Sequence, residues 1–267
     1  MHTAELRFRR STSSRGAARG EPDSAADDAI EAFLLALERN GQLIPDASRP
    51  DVRIGDECRV FALIPERTSL ARARHSPRVR DAIARLRECG VARPTMRVIG
   101  WTPASAAVCR CPRPAAFVLW TNGQTCELPL RCWTCAGVFP FYRFEHTGER
   151  GTYEDVIFWL FRYRVFDDLW MASRSGERLA YRELSRHDSE LSREGREVCR
   201  AIERRARVPV YYYLMRYHGR SEAAERRRRC PSCRKPWLLP EPWRGKLHFR
   251  CRRCRLASNV AFDVLKL

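Results

Sequence analysis

The spacing of apolar and polar residues predicts a layer of strands and helices in the first hundred residues. Leu6 and Phe8 alternate with arginines, which is typical of a strand with one buried face. Ser76 and Pro77 combine a capping side chain with a proline at the first helical position. The predicted order is a strand at residues 6–8, a helix at 24–39, a strand at 58–65, a helix between Ser76 and Gly90, and a strand at 96–101. We therefore predict a small β-α-β-α-β layer of α+β, or ferredoxin-like, type.

The pattern changes after residue 103. Residues 104–144 are rich in cysteine, proline and aromatic residues, and they are followed by two predicted helices and a strong strand at 208–217. The predicted fold class is thus α+β, with a helical middle and one or two zinc ribbons. We divide the chain into an α+β domain (1–103), a Cys-rich candidate zinc ribbon (104–144), a helical segment plus one strand (145–218) and a C-terminal zinc ribbon (219–267).

Four cysteines near the C-terminus have the spacing of a metal site. They form two Cys-x-x-Cys turns, separated by short apolar segments that fit the strands of a hairpin: Cys230, Cys233, Cys251 and Cys254. Two such turns facing each other supply four soft, tetrahedral ligands for Zn²⁺, and four thiolates leave no open position on the metal. We therefore predict a structural zinc site, the alternatives being two disulfides or four reduced thiols.

A second set of cysteines is predicted to hold another Zn²⁺. It pairs a tight Cys-x-Cys turn with a Cys-x-x-Cys turn: Cys109, Cys111, Cys132 and Cys135. Cys126 is an alternative ligand in place of Cys109 or Cys111, or else a free thiol. The other interpretation is that these are unligated core cysteines, which behave as small apolar residues. Cys58, Cys89 and Cys199 fit that description.

The charge of the chain favours a polyanionic partner. The formal net charge is +18, and all but three of the 50 basic residues are arginines. The choice of arginine over lysine is typical either of a surface that makes bidentate phosphate contacts and stacks on bases or of a GC-rich genome, and the second interpretation does not explain the positive excess. Residues 145–200 carry a net −2, whereas residues 230–267 carry +7, which concentrates the charge on the C-terminal ribbon. The alternative is a solvated basic face with no partner.

The candidate contact residues surround the C-terminal ribbon. They are Arg226, Arg227, Arg228, Arg229, Trp243, Arg244, Lys246, Arg250, Arg252, Arg253 and Arg255. An aromatic strand with Tyr211, Tyr212 and Tyr213 offers an alternative platform for stacking bases. Its apolar neighbours favour a core strand instead.

The sequence does not favour a membrane protein or an enzyme. The apolar runs are too short to span a bilayer, and the N-terminus lacks an apolar signal-peptide core, so we expect a cytoplasmic protein. No two histidines have the spacing of metal ligands in the sequence, and no phosphate-binding or dinucleotide-binding motif is present. A weak similarity to a nuclease motif is present at Asp51, Glu57 and Arg59. Asp51 is explained more simply as a turn residue.

The C-terminal half resembles a known family. Residues 208–216, Val-Pro-Val-Tyr-Tyr-Tyr-Leu-Met-Arg, lead into Cys-Pro-Ser-Cys at 230–233, and residues 249–259 close the ribbon. Further matching segments upstream are Asn40-Gly41-Gln42, Ser76-Pro77 and Leu130-Arg131-Cys132 with Cys135. The chain is similar to bacterial zinc-ribbon proteins of unknown function with a suggested nucleic-acid-binding role. The resemblance implies the architecture and zinc, and nothing about catalysis. Arg234 departs from it, because a zinc knuckle commonly has glycine there.

These observations predict a non-enzymatic zinc-ribbon protein that binds nucleic acid, DNA or RNA, through its Arg-rich C-terminal surface. The alternative is a protein-interaction module, either an adaptor or an immunity protein that covers an acidic toxin surface. The same basic surface would serve there by charge complementarity.

Overall fold

Strand β1 (His2–Arg9) lies in the middle of a sheet in the first of two compact units in the computed structural model. The structure describes residues 1–10, 24–45, 49–103, 105–122, 127–147, 152–172 and 174–265. The first unit comprises Met1–Val108, Cys126–Leu128 and Pro140–Glu154, and the second comprises Cys109–Thr125, Pro129–Phe139 and Asp155–Leu267. Both units combine segments that are distant in the sequence, and the four predicted domains stay a prediction.

The first unit has the predicted α+β class with one additional strand. Its elements are β1, α1 (Ser24–Arg39), β2 (Asp51–Ile54), β3 (Glu57–Ile64), α2 (Pro77–Glu88) and β4 (Thr95–Trp101). The sheet order is β2-β3-β1-β4, and each neighbouring pair is antiparallel. This β-α-β-β-α-β order is that of ferredoxin-like folds. The four residues of β2 are all exposed, and so short an edge strand gives little periodic signal in a sequence.

The core of the first unit lies on one face of its sheet. Alternate residues of β1 and β3, including Leu6, Phe8 and Val60, pack with apolar residues of α1 and α2. The ring of Phe8 meets that of Phe33 edge to face, with centroids 6.0 Å apart. The apolar alternation predicted for the first strand is therefore confirmed.

Strand β7 (Val210–Leu214) is the centre of a six-stranded sheet in the second unit. The other elements of this unit are β5 (Phe117–Leu119), β6 (Leu130–Cys132), α3 (Glu154–Ala172), α4 (Glu177–Ser185), α5 (Glu190–Ala206), α6 (Glu222–Arg226), β8 (Leu238–Trp243), β9 (Leu247–Cys251) and β10 (Leu256–Ser258). The order is β6-β5-β7-β10-β9-β8. Strand β7 runs parallel to β5 and β10, whereas the outer pairs are antiparallel. Each outer hairpin carries cysteines of one predicted metal site.

Helix α5 packs closely on β7. A Cβ atom at Gly195 would lie 2.1 Å from Cε2 of Tyr212, so this approach requires glycine. The carboxylate of Glu203 accepts a hydrogen bond of 3.1 Å from the backbone N–H of Val210 at the start of β7. All five β7 residues are buried, which confirms the core interpretation of the aromatic strand.

Candidate metal centres and basic surface

The four C-terminal cysteines converge on one point. The turn before β8 supplies Cys230 and Cys233, and the end of β9 with the following turn supplies Cys251 and Cys254. Their ligand atoms all lie within 4.8 Å of one another, and the Sγ atoms of Cys233 and Cys251 are 3.6 Å apart. Four sulfurs at the corners of a tetrahedron around Zn²⁺ would be about 3.8 Å apart, given a Zn–S bond of about 2.3 Å. The geometry of this C-terminal cysteine set therefore fits a tetrahedral metal site.

The second group of cysteines, here called the first cysteine set because it comes earlier in the chain, converges in the same way. Cys109, Cys111, Cys132 and Cys135 have ligand atoms within 4.8 Å of one another. The backbone N–H of Cys109 donates to the carbonyl of Val138 at 2.8 Å, which ties the Cys-x-Cys turn to the segment beside β6. The tight Cys-x-Cys spacing is thus compatible with the site. Cys126 lies outside the described residues, so its alternative roles stay predictions.

The Cys-x-x-Cys turns share a backbone geometry. The residue after the second cysteine has a positive φ in each: 62° at Ala136, 60° at Arg234 and 55° at Arg255. This bend turns backbone N–H groups towards sulfur or back to the first cysteine. Gly137 donates to Sγ of Cys135 at 3.4 Å, and Arg234 donates to the carbonyl of Cys230 at 2.9 Å. The expectation that glycine would suit position 234 is explained by this left-handed backbone.

The thiols of the C-terminal cysteine set differ in acidity. The backbone N–H of Lys235 lowers the pKa of Cys233 to about 7, whereas burial raises the pKa of Cys251 to about 12. A divalent cation among the four sulfurs would favour the thiolate at both positions, because it offsets the cost of burying a negative charge. The chemistry of the donor set thus suits a soft divalent metal.

The remaining described cysteines belong to the core. None of the described cysteines forms a disulfide. Cys58 and Cys199 are buried and Cys89 is partly buried, in line with the apolar role predicted for them. Burial, ahead of any nearby charge, raises the pKa of the Cys199 thiol far above its ordinary value, so this group stays protonated.

Most of the predicted contact residues have exposed side chains. These are Arg226, Arg227, Arg229, Arg244, Lys246, Arg252 and Arg253. Some are also anchored within the protein. Arg226 pairs with Glu222 at 2.7 Å, and a guanidinium nitrogen of Arg244 donates to the carbonyl of Thr134 at 3.1 Å. Arg252 and Arg253 make no ion pair with any described residue, so their charges face solvent.

Arg228 occupies a different environment from its neighbours. Its guanidinium lies over the rings of Phe249, at 4.5 Å, and Trp237, at 5.0 Å. It donates to the carbonyl of Asn259 at 2.9 Å, and burial lowers its pKa to about 10. The aromatic rings, the carbonyl and an ion pair of 3.2 Å with the buried carboxylate of Glu225 hold this charge within the second unit.

Three other predicted contact residues are partly buried and contact other residues of the second unit. Trp243, on the C-terminal hairpin, stacks on Trp133, which lies between two cysteines of the first set. The guanidinium of Arg250 lies 4.8 Å from the Trp133 ring and 5.7 Å from the Tyr211 ring. Arg255 pairs with Glu203 at 2.9 Å. Sequence reasoning did not identify Trp133 as the residue on which Trp243 stacks, although an aromatic residue inside a Cys-x-x-Cys turn is a visible signal.

Both cysteine sets lie near the same end of β7, on opposite sides of that strand. Cys132 pairs with Phe117, which pairs with Val210 of β7. On the other side, Cys251 pairs with Leu256, which pairs with Tyr212 two residues further along β7. Strands β5, β7 and β10 therefore lie between the two sets in the sheet.

Comparisons with known proteins relate the chain to families of unknown function. Residues 111–215 match Domain of unknown function (DUF2310), residues 219–264 match Domain of unknown function (DUF8594), and residues 1–100 match Domain of unknown function (DUF8589). The chain is 30% identical over 240 residues to an uncharacterised protein of Haemophilus influenzae, covering 88% of this chain and 91% of that protein. A second uncharacterised protein of the same organism is 32% identical over 179 residues, which are 67% of this chain and 87% of the relative.

No solved structure matches the chain. In the part of the chain that the structure describes, no helix has the length and apolar character needed to cross a membrane.

Proposed function

The chain belongs to the protein family that includes both Haemophilus influenzae relatives, and we propose that it is a non-enzymatic zinc protein that binds nucleic acid. The observation that carries the proposal is the placement of Arg252 and Arg253 between two cysteines of the C-terminal set, with both side chains exposed. A metal held by four thiolates fixes the backbone of this turn, so binding costs little backbone entropy there. Arginine in turn makes bidentate contacts with phosphate.

Zinc is the metal that the two cysteine sets support best. Thiolate sulfur is a soft ligand that selects Zn²⁺, Cu⁺ or iron–sulfur chemistry, and a tetrahedral set of four cysteines is typical of structural zinc. All four positions on each metal would be taken by protein sulfur, which leaves none for substrate or water. This supports a structural rather than a catalytic role for both sites.

The basic surface supports a polyanionic partner. Lys246 and Arg244 are exposed on the turn between β8 and β9, and Arg227 and Arg229 are exposed just before the first C-terminal cysteine. These groups and the arginines at 252 and 253 belong to the module that the C-terminal cysteine set holds together, so the metal positions them as a group. Their side chains offer the repeated cationic contacts that a nucleic-acid backbone requires.

Metal content tests the zinc part of the proposal. We expect about two zinc ions per chain by elemental analysis of protein purified without added metal. Cys251→Ser and Cys132→Ser should each lose about one ion, because each removes a ligand from a different set. Retention of full zinc content in either variant would contradict the assignment of that set.

Fluorescence anisotropy across a salt series tests nucleic-acid binding. Short single-stranded and double-stranded DNA and RNA are titrated with the zinc-loaded chain, and the preferred ligand is then titrated with Arg252→Ala/Arg253→Ala. Loss of two phosphate contacts should reduce the slope of log K against log salt by about 2. The matched control is Arg85→Ala/Arg87→Ala, which removes the same charge from exposed positions of α2 and should leave the slope closer to that of wild type.

The outcome also separates this proposal from the alternative of an acidic protein partner. A nucleic-acid function of this surface would be contradicted by weak binding of all the oligonucleotides with no preference among them. The same conclusion would follow if the slope of log K against log salt were equal in the two double variants. Such a result would favour the protein-interaction module, for which the same exposed arginines supply the complementary charge.

A further inference from the structure

A cavity of about 340 Å³ lies in the second unit, and no cysteine of either set lines it. Its walls come from the C-terminal half of α3, strand β7 and the turn between β8 and β9. Most of the lining is aromatic or apolar: Trp120, Tyr163, Trp170, Met171, Tyr213 and Phe262. A volume above about 300 Å³ with mainly apolar walls is typical of a small-molecule site. Neither candidate metal site accounts for this cavity.

The walls of the cavity favour an aromatic ligand. Tyr163 and Tyr213 are buried, whereas Trp120 and Trp170 are partly buried, so four rings of different depth line the cavity. Protein rings pack against a ligand ring edge to face or in offset stacks, and these contacts add to the free energy gained by burying apolar surface. Phe262 supplies a fifth ring, which is 48% exposed.

Lys246 supplies a cation to the same cavity. Its side chain is exposed, and its Nζ lies 5.2 Å from the centroid of the Trp120 ring. It makes no ion pair with any residue that the structure describes. An ammonium group beside an aromatic ring, without a carboxylate partner, attracts an anionic group. Because Lys246 is exposed, an anion bound there stays in contact with water and avoids the cost of burying a charge.

The other charged or ionisable residues of the lining are already engaged within the protein. Asp167 is 7% exposed, and its carboxylate has an interaction inside the protein, so we assign it no contact with a ligand. His248 is also buried, and its Nδ1 accepts from the backbone N–H of Val260 at 3.2 Å. Among these residues, Lys246 is therefore the one whose charge is open to a ligand.

We propose that this cavity binds a small aromatic carboxylate, with its rings against the aromatic walls and its carboxylate at the ammonium group of Lys246. The rings supply most of the affinity through apolar burial and aromatic packing. The ammonium group accounts for the selection of an anion over a neutral compound of the same shape. This site goes beyond the proposed function, because it requires neither nucleic acid nor a metal as a ligand.

Isothermal titration of the zinc-loaded chain with 2-naphthoate and 2-naphthamide tests the selection of an anion. The two compounds have nearly the same shape, but only the first is charged. At low salt we expect 2-naphthoate to bind about twofold to fivefold more tightly, the range of an exposed ion pair. Lys246→Gln should remove this preference. The matched control is Lys235→Gln, an exposed lysine that does not line the cavity, and it should keep the preference. Equal binding of the two compounds by the wild type would overturn the inference.

Phe262→Ala tests the placement of the rings. Phe262 is exposed, so the variant should fold. Loss of one aromatic contact should weaken the binding of both compounds by about twofold to tenfold and leave the preference between them unchanged. Phe158→Ala is the control, because that ring is 47% exposed on α3 and does not line the cavity. Affinities that are unaltered in Phe262→Ala would contradict binding of the rings in this cavity.

Two further outcomes separate the cavity from the nucleic-acid proposal, because these titrations contain no nucleic acid. If 2-naphthoate binds as expected but no oligonucleotide does, the cavity assignment holds and the proposed function fails. If oligonucleotides bind but neither naphthalene compound does, the proposed function stands and the cavity assignment fails.

Discussion

Trp243 stacks on Trp133, with ring centroids 5.1 Å apart and an angle of 29° between the planes, and its Nε1 donates to the Trp133 carbonyl at 2.6 Å. Trp133 lies between Cys132 and Cys135, whereas Trp243 belongs to the hairpin of the C-terminal cysteine set. The two candidate metal sites are therefore connected by direct packing as well as by the sheet. Loss of order at one site is expected to weaken the other.

Trp243→Ala should destabilise the second unit. The variant removes a half-buried indole, its stacking contact and one hydrogen bond, which together are worth about 2–4 kcal/mol. Urea unfolding of zinc-loaded protein, followed by circular dichroism, measures the free energy of unfolding. Trp101→Ala is the control, because that indole is 67% exposed in the first unit and its removal should change little. Equal effects of the two substitutions would contradict the coupling role of Trp243.

Gly195→Ala should also be destabilising, although alanine is the better helix former. Helix propensity alone would favour the variant by about 1 kcal/mol. The new Cβ would however lie 2.1 Å from Tyr212 and 2.5 Å from Nε1 of Trp159. Separating α5 from β7 to relieve this contact should cost at least about 2 kcal/mol. We therefore expect a net decrease in the free energy of unfolding measured in urea. Gly100→Ala serves as the control, since nothing lies within 4 Å of its added Cβ; a gain of stability in Gly195→Ala would refute the close approach.

Arg234→Gly should stabilise the turn that carries Cys230 and Cys233. Arg234 has a φ of 60° and an exposed side chain, so the substitution relieves backbone strain without removing a buried contact. The expected gain is about 0.5–1 kcal/mol, because the higher entropy of glycine in the unfolded chain offsets part of the relief. Thermal unfolding of the zinc-loaded protein reports it. Arg234→Ala removes the same side chain but keeps the strain, so a similar gain in that variant would point to charge instead.

His75 should make the first unit less stable in mild acid. Burial lowers the pKa of His75 below its ordinary value of 6.5; a backbone hydrogen bond at Leu70 opposes this shift, and the charges of Arg72 and Arg80 add to it. The unfolded chain therefore binds the proton first as the pH falls, and stability decreases from about pH 6.5 downwards until the folded imidazole also titrates. Urea unfolding at about pH 7.5 and about pH 5.5 measures the loss.

His75→Gln is the comparison for this pH effect. The pKa values of His2 and His146 are also lowered chiefly by burial, so only the difference between variant and wild type belongs to His75. Amide hydrogen exchange of α2, which begins two residues after His75, localises the change to the first unit. An unaltered pH dependence in His75→Gln would contradict the assignment.

The cysteine spacing made the candidate metal sites predictable, because a metal needs a fixed number of ligands at short range and the turns that supply them are local. Helix α2 was predictable for a similar reason, since Ser76 and Pro77 mark its start and the Ser76 hydroxyl accepts from the Val79 N–H. In contrast, the parallel pairing of β7 with β5 and β10 brings together segments that are distant in the sequence, and no local pattern predicts such a pairing.

The charge pattern predicted a basic region but not the environment of each residue. Four consecutive arginines at 226–229 look equivalent in the sequence, yet among them the Arg228 guanidinium lies over two aromatic rings inside the ribbon. The difference arises from the direction that each side chain takes after the short helix α6, and that direction is fixed by tertiary packing. For the same reason the sequence did not reveal the aromatic cavity around Asp167, whose walls come from separate stretches of the chain.

The central position of β7 has a consequence for the synthesis of the chain. The β5–β6 hairpin and its cysteines leave the ribosome early, but their parallel partner at 210–214 emerges only after helices α3, α4 and α5 have followed. During that interval the backbone N–H and C=O groups on one edge of β5 are unpaired, and such an edge can pair with other nascent chains. If the first cysteine set bound metal early, the metal would keep the β5–β6 hairpin in register until β7 is synthesised. The yield of correctly folded protein should therefore depend on the zinc supply during translation.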